Sequence, residues 1–506
     1  MTVSAKPSSH QALLLVASAG CALTTLDTNV VGVVLPTIAH DLHASFADIE
    51  WVISSYVLCF ASLLLPAGAI ADRFGRKRVF LFGLSLFGIT SVACGLAPTA
   101  SWLYIARAAQ GVGAAFQLAP ALAIIGHAFT DDAQRARAWA TWGTIMGLTM
   151  VMSPLIGGVI SRYIGWPWAF HINAPIVLVL GLAVLPTIGE SRDPTPRTLD
   201  LPGMALFAGA MFCLTWALIS GPDAGWTSPA VMMRVMAGAV LVAAFIVVER
   251  RTSHPMLDLS LFQAAPFVGA VLAMFAYAAS AQVMASLLPL FLQNARGADS
   301  LAAGIGMLPF AVAMLLFPRV GHRLGRRLSP HGVLTVGLAV VAAGNLVLAF
   351  AANVGNGAIL IGGMFVLGAG GGLLNGETQK AIMSTIPGHR TGMGSGISTT
   401  SRFAGVLLGF ATLGAVLASG VRDTARVLFA QAGVAISPDG LSRIVAGDVD
   451  KAQATLVPGG EHGVVAIARA SYASGFSHAF VVAGGAAALA SLLVFASKRR
   501  GVRARG

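Results

Sequence analysis

Two of the 20 acidic residues stand apart from the others. Asp27 and Glu377 lie inside long apolar runs, whereas the remaining acids fall in polar connections or at the ends of such runs. A charged carboxylate at the centre of a membrane helix costs roughly 2.5–3.5 kcal/mol on insertion scales. It persists where it faces a cavity and takes up a proton or a cation, because burial favours the neutral carboxyl. Asp27 therefore reads as a proton carrier; the alternative is a carboxylate fixed to Thr24, Thr28 or a neighbouring helix. Arg107 is a further charge in an apolar run. A guanidinium is always charged and must pair with an acid or with carbonyls. Asp27 is one partner; the other reading is a clamp between helices through Gln110 or carbonyls. If acid and guanidinium meet, protonation of the acid loosens the pair and couples proton to conformation. Glu377 has Lys380 three residues on, a spacing at which opposite charges pair along a helix. Its readings are a structural pair or gate, and substrate or proton handling. Arg402, also in an apolar run, reads as a packing or interface residue.

The elements that must hold these groups follow from composition. The 506 residues are 56% hydrophobic and only 10% charged, with a mean hydropathy of +0.80. A soluble domain carries roughly 25% charged residues, so this chain is read as an all-α polytopic membrane protein. About fourteen stretches reach the ~20 residues that span a bilayer. They are continuously apolar, without the alternation of barrel strands. Six spans lie within 12–188, two within 199–248 and six within 264–497, the last block interrupted by a polar loop at 421–473. With both termini in the cytoplasm, 22 basic residues fall inside and 8 outside, and that bias sets orientation. It accounts for most of the net charge of +12, so no nucleic-acid partner is implied. The first apolar stretch lacks a small-residue cleavage site and reads as a retained span. Cys21, Cys59, Cys94 and Cys213 all fall within spans, and no cluster has metal-ligand spacing.

The halves repeat. GAIADRFGRKR at 68–78 aligns with PRVGHRLGRR at 318–327, with Arg73, Gly75 and Arg76 matching Arg323, Gly325 and Arg326 at an offset of 250 residues. Each segment follows the second span of a six-span block. Repeated halves around a site near the midplane are a transporter design. GAGGG at 368–372 lies in an apolar run and reads as close helix contact, not a nucleotide loop. No Lys is preceded by Gly, so there is no GK[ST] phosphate loop.

On these residues the sequence resembles the major facilitator superfamily, in particular its fourteen-span drug:proton antiporters. Gly68, Asp72, Arg73, Gly75, Arg76 and Lys77 match the superfamily's loop motif between spans 2 and 3. LDTNVVGVVLP at 26–36, with Asp27, and RAAQGVGAA at 107–115, with Arg107, are similar to its first-span and fourth-span motifs. SPLIGG at 153–158 is similar to the antiporter motif, with Pro154, Gly157 and Gly158 in place and Ser153 where Gly is usual. WPWAFHINAP at 166–175, DLPG at 200–203 and HPMLDLSLF at 254–262 also match that subfamily.

The resemblance implies a major facilitator fold of two six-helix bundles plus two inserted helices. It implies a secondary transporter, not an enzyme, in a bacterial cytoplasmic (inner) membrane. Such a protein exports lipophilic drugs or other toxic solutes by alternating access. Its energy source is the proton gradient, with no cofactor and no metal. Asp27, Arg107 and Glu377 are the candidates for proton coupling or substrate. The Gly68–Lys77 motif would be a latch broken during each cycle. Alternatives are a narrow exporter of one metabolite or antibiotic, and a non-transporting scaffold. Loop 421–473 reads either as a tolerated insertion or as a helical cap that slows re-entry or docks a periplasmic adaptor protein.

Overall fold

The computed structural model describes residues 7–129, 131–192, 200–252, 259–325, 327–384, 391–434, 436–447 and 461–503. Among the described residues, fourteen helical spans are long and apolar enough to cross a membrane. Spans 1 to 5 are Pro7–Asp41, Phe46–Phe74, Arg76–Gly95, Ala100–Ala128 and Asp132–Tyr163; span 6 is Trp168–His171 followed by Asn173–Thr187. Spans 7 and 8 are Leu201–Ala224 and Pro229–Arg251. Span 9 runs as Ala265–Tyr277, a π turn at Ala278–Gln282, and Val283–Asn294. Span 10 is Ser300–Gly306 and Leu308–Leu324. Spans 11 to 14 are Pro330–Val354, Gly357–Met383, Thr391–Gln431 and Glu461–Arg503.

Polar residues start these helices. The side chains of Ser45, Thr99, Asp131, Asp200, Ser228, Asp299, Ser329 and Asn356 each accept a first-turn amide. Such caps satisfy donors that have no intrahelical partner. Between caps, small residues set the packing, as expected where lipid removes most of the hydrophobic drive between helices. Span 4 packs on spans 2 and 3, and span 5 on span 1; in the second bundle, span 12 packs on spans 10 and 11, and span 14 on spans 11 and 13. The bundles meet through spans 5 and 10, 1 and 9, and 2 and 13. Span 7 lies against spans 2 and 13, with span 8 packed on span 7. Span 8 keeps Met233, Met236 and Val240 exposed, which suits a lipid-facing helix.

The segment 421–473 differs from a polar loop. Span 13 continues to Gln431 and span 14 begins at Glu461. Val421, Ala425 and Phe429 form a buried stripe on one, and Val464, Ala468 and Tyr472 on the other. Every fourth residue is apolar, which supports a helix face although the average composition is polar. A short helix, Pro438–Ala446, lies between them and buries Leu441, Ile444 and Val445. The Tyr472 hydroxyl donates to the Val445 carbonyl at 2.6 Å. This helix also touches span 2 of the first bundle. Residues 448–460 lie outside the described ones.

Candidate functional site

Span 1 places Asp27 with its side chain fully enclosed, and span 4 places Arg107 beside it. Arg107 Nη1 donates to Asp27 Oδ2 at 2.6 Å and to Gln110 Oε1 at 2.7 Å. The other carboxylate oxygen, Oδ1, accepts from Gln110 Nε2 at 3.0 Å and from Asn173 Nδ2 at 2.8 Å. Both amides also reach the Ser91 hydroxyl, at 3.2 and 2.9 Å, and that hydroxyl donates to the Phe170 carbonyl at 2.8 Å. Arg107 Nε donates to the Val52 carbonyl at 3.2 Å, and its guanidinium lies 4.0 Å over the Tyr56 ring. Five spans thus share one polar knot around one carboxylate. The acid–guanidinium and Gln110 readings of Arg107 hold together.

The knot exists because span 4 can approach its neighbours. A Cβ on Gly111 would collide with the Tyr56 carbonyl, and one on Gly113 would stand 2.6 Å from the Phe87 amide. A bonded buried pair tolerates its desolvation only while every member is satisfied; removal of one partner is strongly destabilising. Neutralising Asp27 would therefore weaken a contact that ties span 1 to spans 3, 4 and 6.

The antiporter-motif residues do different work. A Cβ on Gly157 would lie 3.0 Å from Val33 Cβ of span 1. One on Gly158 would lie 2.8 Å from the Ser300 carbonyl of span 10, and one on Gly304 of span 10 would lie 2.6 Å from the Pro154 carbonyl. Ser161 adds hydroxyl contacts to Thr37 at 2.9 Å and to Ser300 at 3.0 Å, and Gln293 donates to the Val33 carbonyl at 3.1 Å. The contacts of Ser300, Gly304 and Gln293 close the bundles together at the end away from Asp72, and those of Val33 and Thr37 hold span 5 on span 1 within the first bundle. Ser153, in place of Gly, turns its hydroxyl onto the Thr149 carbonyl of its own helix at 2.6 Å.

At the opposite, basic end the loop motif is built within the first bundle. Gly75 takes φ +115°, a conformation that favours glycine. Glu190, at the end of span 6, accepts from the Lys77 amide at 3.1 Å and the Arg78 amide at 3.3 Å, so Glu190 occupies the N-terminus of span 3, where a carboxylate is favoured. Lys77 Nζ donates to the Leu185 carbonyl at 2.6 Å. Asp72 pairs with Arg76 of its own loop at 2.8 Å. A Cβ on Gly68 would stand 3.9 Å from Ala119 Cβ of span 4, an ordinary contact, so packing in this state does not require glycine there. Arg73 is exposed, its guanidinium 5.6 Å from the Phe74 ring centre.

Glu377 does not join Asp27. It is buried in span 12 and pairs with Lys380 at 3.3 Å, and the Lys380 side chain is 55% exposed. Between the bundles lies a narrow cleft bordered by Asn29, Met150, Pro154, Ser286, Met307 and Phe310.

Alongside the helices, the doubled bundle and the charged knot, the sequence profile described as Major Facilitator Superfamily matches residues 17–410. The chain belongs to the major facilitator superfamily. It is 35% identical to multidrug resistance protein Stp of Mycobacterium tuberculosis over 416 residues, covering 82% of this chain and 77% of that protein. It is 30% identical to the tetracenomycin C resistance and export protein of Streptomyces glaucescens over 497 residues, covering 96% and 91%. Among solved structures it resembles a bacterial homologue of the human lysosomal transporter Spinster, in an inward-facing and occupied conformation. That match has TM-score 0.65 and 17% identity and covers 99% and 98% of the two chains; it speaks to the fold. A superfamily member of this kind is a multi-pass membrane transporter, not an enzyme.

Three buried acids escaped the sequence reading because each stands near a span end. Glu50, Asp200 and Glu249 are all less than one-tenth exposed. Glu50 shares a stripe with Ile53, Val57 and Ala61, all buried, and helical spacing alone would have marked it. Ser91 and Asn173 were also missed as members of the knot. Asn173 had a signal, an amide opening an apolar run; Ser91 had none.

Proposed function

We propose that this superfamily member exports lipophilic small molecules from a bacterial cytoplasm in exchange for protons, by alternating access. The observation that carries the proposal is the enclosed Asp27–Arg107 pair, which Gln110, Asn173 and Ser91 tie together across spans 1, 3, 4 and 6. A proton reaching Asp27 cancels the attraction that holds Arg107 and weakens the knot. Because Asp27 is sealed here, proton exchange requires a different arrangement of the helices. That requirement couples protonation to conformation. The gradient supplies about 2.3 kcal/mol per charge per 100 mV from the potential alone. No cofactor enters this scheme.

The basic end faces the cytoplasm in this reading, by the excess of Lys and Arg there, and both termini lie on that side. The close packing of Gly158 and Gly304 between spans 5 and 10 then seals the outer side, and the Asp72 motif acts as the latch of the alternate, outward-open state. Relatives named for resistance and export support an efflux direction. The helix Pro438–Ala446, seated on spans of both bundles, supports a cap over the outer mouth; an adaptor protein could dock on the same surface.

The test is transport in proteoliposomes with an imposed proton gradient, across a panel of lipophilic compounds. Gradient-dependent movement that is lost in Asp27→Asn, at normal insertion, is the expected result. Undiminished gradient-driven movement by Asp27→Asn would exclude that carboxylate as the carrier.

A further inference from the structure

The second bundle holds a polar cluster that the proton knot does not use. Span 9 widens into a π turn at Ala278–Gln282, a distortion found frequently at functional sites. Span 13 presses onto this turn through two glycines. A Cβ on Gly405 would lie 3.0 Å from Ala278 Cβ, and one on Gly409 would lie 2.8 Å from Ala279 Cα. Arg402 stands three residues before Gly405, on the same face of span 13. Its Nε donates to Gln282 Oε1 at 3.1 Å. Tyr277, the residue before the turn, is fully buried, with its hydroxyl beside the Gln282 side chain. Tyr277 and Gln282 border a second, tight part of the space between the bundles, with Met150, Phe310 and Met314.

The charge around this space is one-sided. The residues bordering it include no carboxylate. Asp27 is enclosed within the first bundle, and Glu377 is bonded to Lys380. Arg402 is partly exposed and carries five donors in a fixed fork, of which the Gln282 contact uses one among the described residues. Arg402 reaches the edge of this space through its bonded partner Gln282, so a lipophilic cation here would lie near a guanidinium with no counter-charge on the bordering residues. An anion would meet a charge-assisted donor, a phenolic hydroxyl and an amide together.

We propose that Tyr277, Gln282 and Arg402 form a substrate subsite for the anionic end of a lipophilic solute, such as a carboxylate, phenolate or sulfonate. The apolar body of the solute lies against Met150, Phe310 and Met314, whose flexible thioethers adapt to different shapes. This deepens the exporter reading and rests on it for the direction of transport.

Three probes that share one skeleton test it: 1-pyrenebutyrate, its methyl ester and 1-pyrenebutylamine. Binding is measured on the full chain in nanodiscs, with empty nanodiscs subtracted. Butyrate should bind about tenfold more tightly than the amine, as a charge-assisted hydrogen bond allows. Arg402→Gln should weaken butyrate about tenfold and leave the ester within about threefold; Arg402→Lys should keep part of the preference, having the charge without the fork. Tighter binding of the amine, or an unchanged preference in Arg402→Gln, overturns the subsite. If Arg402→Gln melts early, Arg402→Lys and Tyr277→Phe carry the test: a butyrate preference unchanged in both overturns the subsite. The same probes in proteoliposomes separate the two readings. Pumping of amine or ester without butyrate overturns the subsite and leaves the exporter standing. Arg402-dependent butyrate binding with no pumping of any probe supports the subsite and overturns the exporter reading.

Discussion

In the first bundle Gly111 sets span 4 against the Tyr56 carbonyl of span 2, and in the second Gly368 sets span 12 against the Phe310 carbonyl of span 10. Two residues on, Gly113 rests on the main chain of Phe87 in span 3, and Gly370 on that of Val341 in span 11. The backbones are packed alike. Four residues before the first glycine of each set stand Arg107 and Met364, and one residue before it stand Gln110 and Leu367. All four are buried. Where one bundle has a bonded charge, the other has a thioether and an isobutyl group. The glycine contacts therefore belong to the architecture and the polar residues to the task. The difference extends to access: the Asp27 side chain is enclosed, while Gln282 of the second bundle is half-buried beside the space between the bundles. A proton site must be sealed so that exchange waits on a conformational change; a solute site must be reachable.

The most disruptive way to test this contrast is to remove the charge that the second bundle never had. Asp27→Asn leaves Arg107 buried without its counter-charge, which costs about 3–5 kcal/mol. Gradient-driven transport should fall to background and the thermal midpoint should drop. Adding Arg107→Gln should recover much of the midpoint, since a neutral knot carries no uncompensated charge, yet transport should stay lost. Recovery of transport in the double variant would mean that the pair is structural only.

Glycine replacements probe the shared part. Gly111→Ala and Gly368→Ala each force a methyl group into a carbonyl of the facing helix, and overpacking of this kind costs about 1–3 kcal/mol. Thermal melting should show similar losses in the two bundles. A loss confined to Gly111→Ala would show that the first bundle is the more rigid one and that the packing is not equivalent.

Much of this arrangement was legible in the sequence, for physical reasons that can be named. Membrane spans need about 20 apolar residues, so hydropathy alone marked the helices. The motif around Asp72 repeats around Arg323 in the second half, so the doubling was visible. Asp27 and Arg107 were conspicuous because charges in apolar runs are rare. Their meeting across 80 residues of sequence was only one option among several, because spacing along a chain gives no distance between helices. The Asn173 contact was hidden for the same reason. The helical character of the outer segment was only one of two readings, because a stripe such as Val421, Ala425 and Phe429 is diluted by the polar residues between its members. The π turn at Ala278–Gln282 has no sequence signature at all.

A smaller effect separates the carboxylate's partners from the carboxylate itself. Asn173→Ala removes the bonds to Asp27 and Ser91, but Gln110 still donates to the same carboxylate oxygen. The stability loss should be about 1 kcal/mol, the net worth of an ordinary hydrogen bond. Transport should slow several-fold without vanishing. A loss as complete as that of Asp27→Asn would make Asn173 part of the proton site, not a positioning residue.

The smallest effect on stability should come from Asp72→Asn, and that smallness makes it informative. Asp72 is 41% exposed on its side chain and bonds Arg76 within one helical turn. Exposed pairs contribute about 0.2–1 kcal/mol, so melting should barely change. A latch, however, acts in the state not seen here, when the basic end closes and the end bearing Ser300 opens. Removing the carboxylate should then disfavour that state alone. With the four native cysteines replaced, Ser300→Cys should react more slowly with an impermeant thiol reagent once Asp72→Asn is added, and turnover should fall in parallel. The Gly158–Ser300 contact makes that position a direct report on opening. Equal labelling with and without Asp72→Asn, at equal expression, would assign the motif to charge sorting at the membrane surface and leave the opening of the outer end to the knot at Asp27.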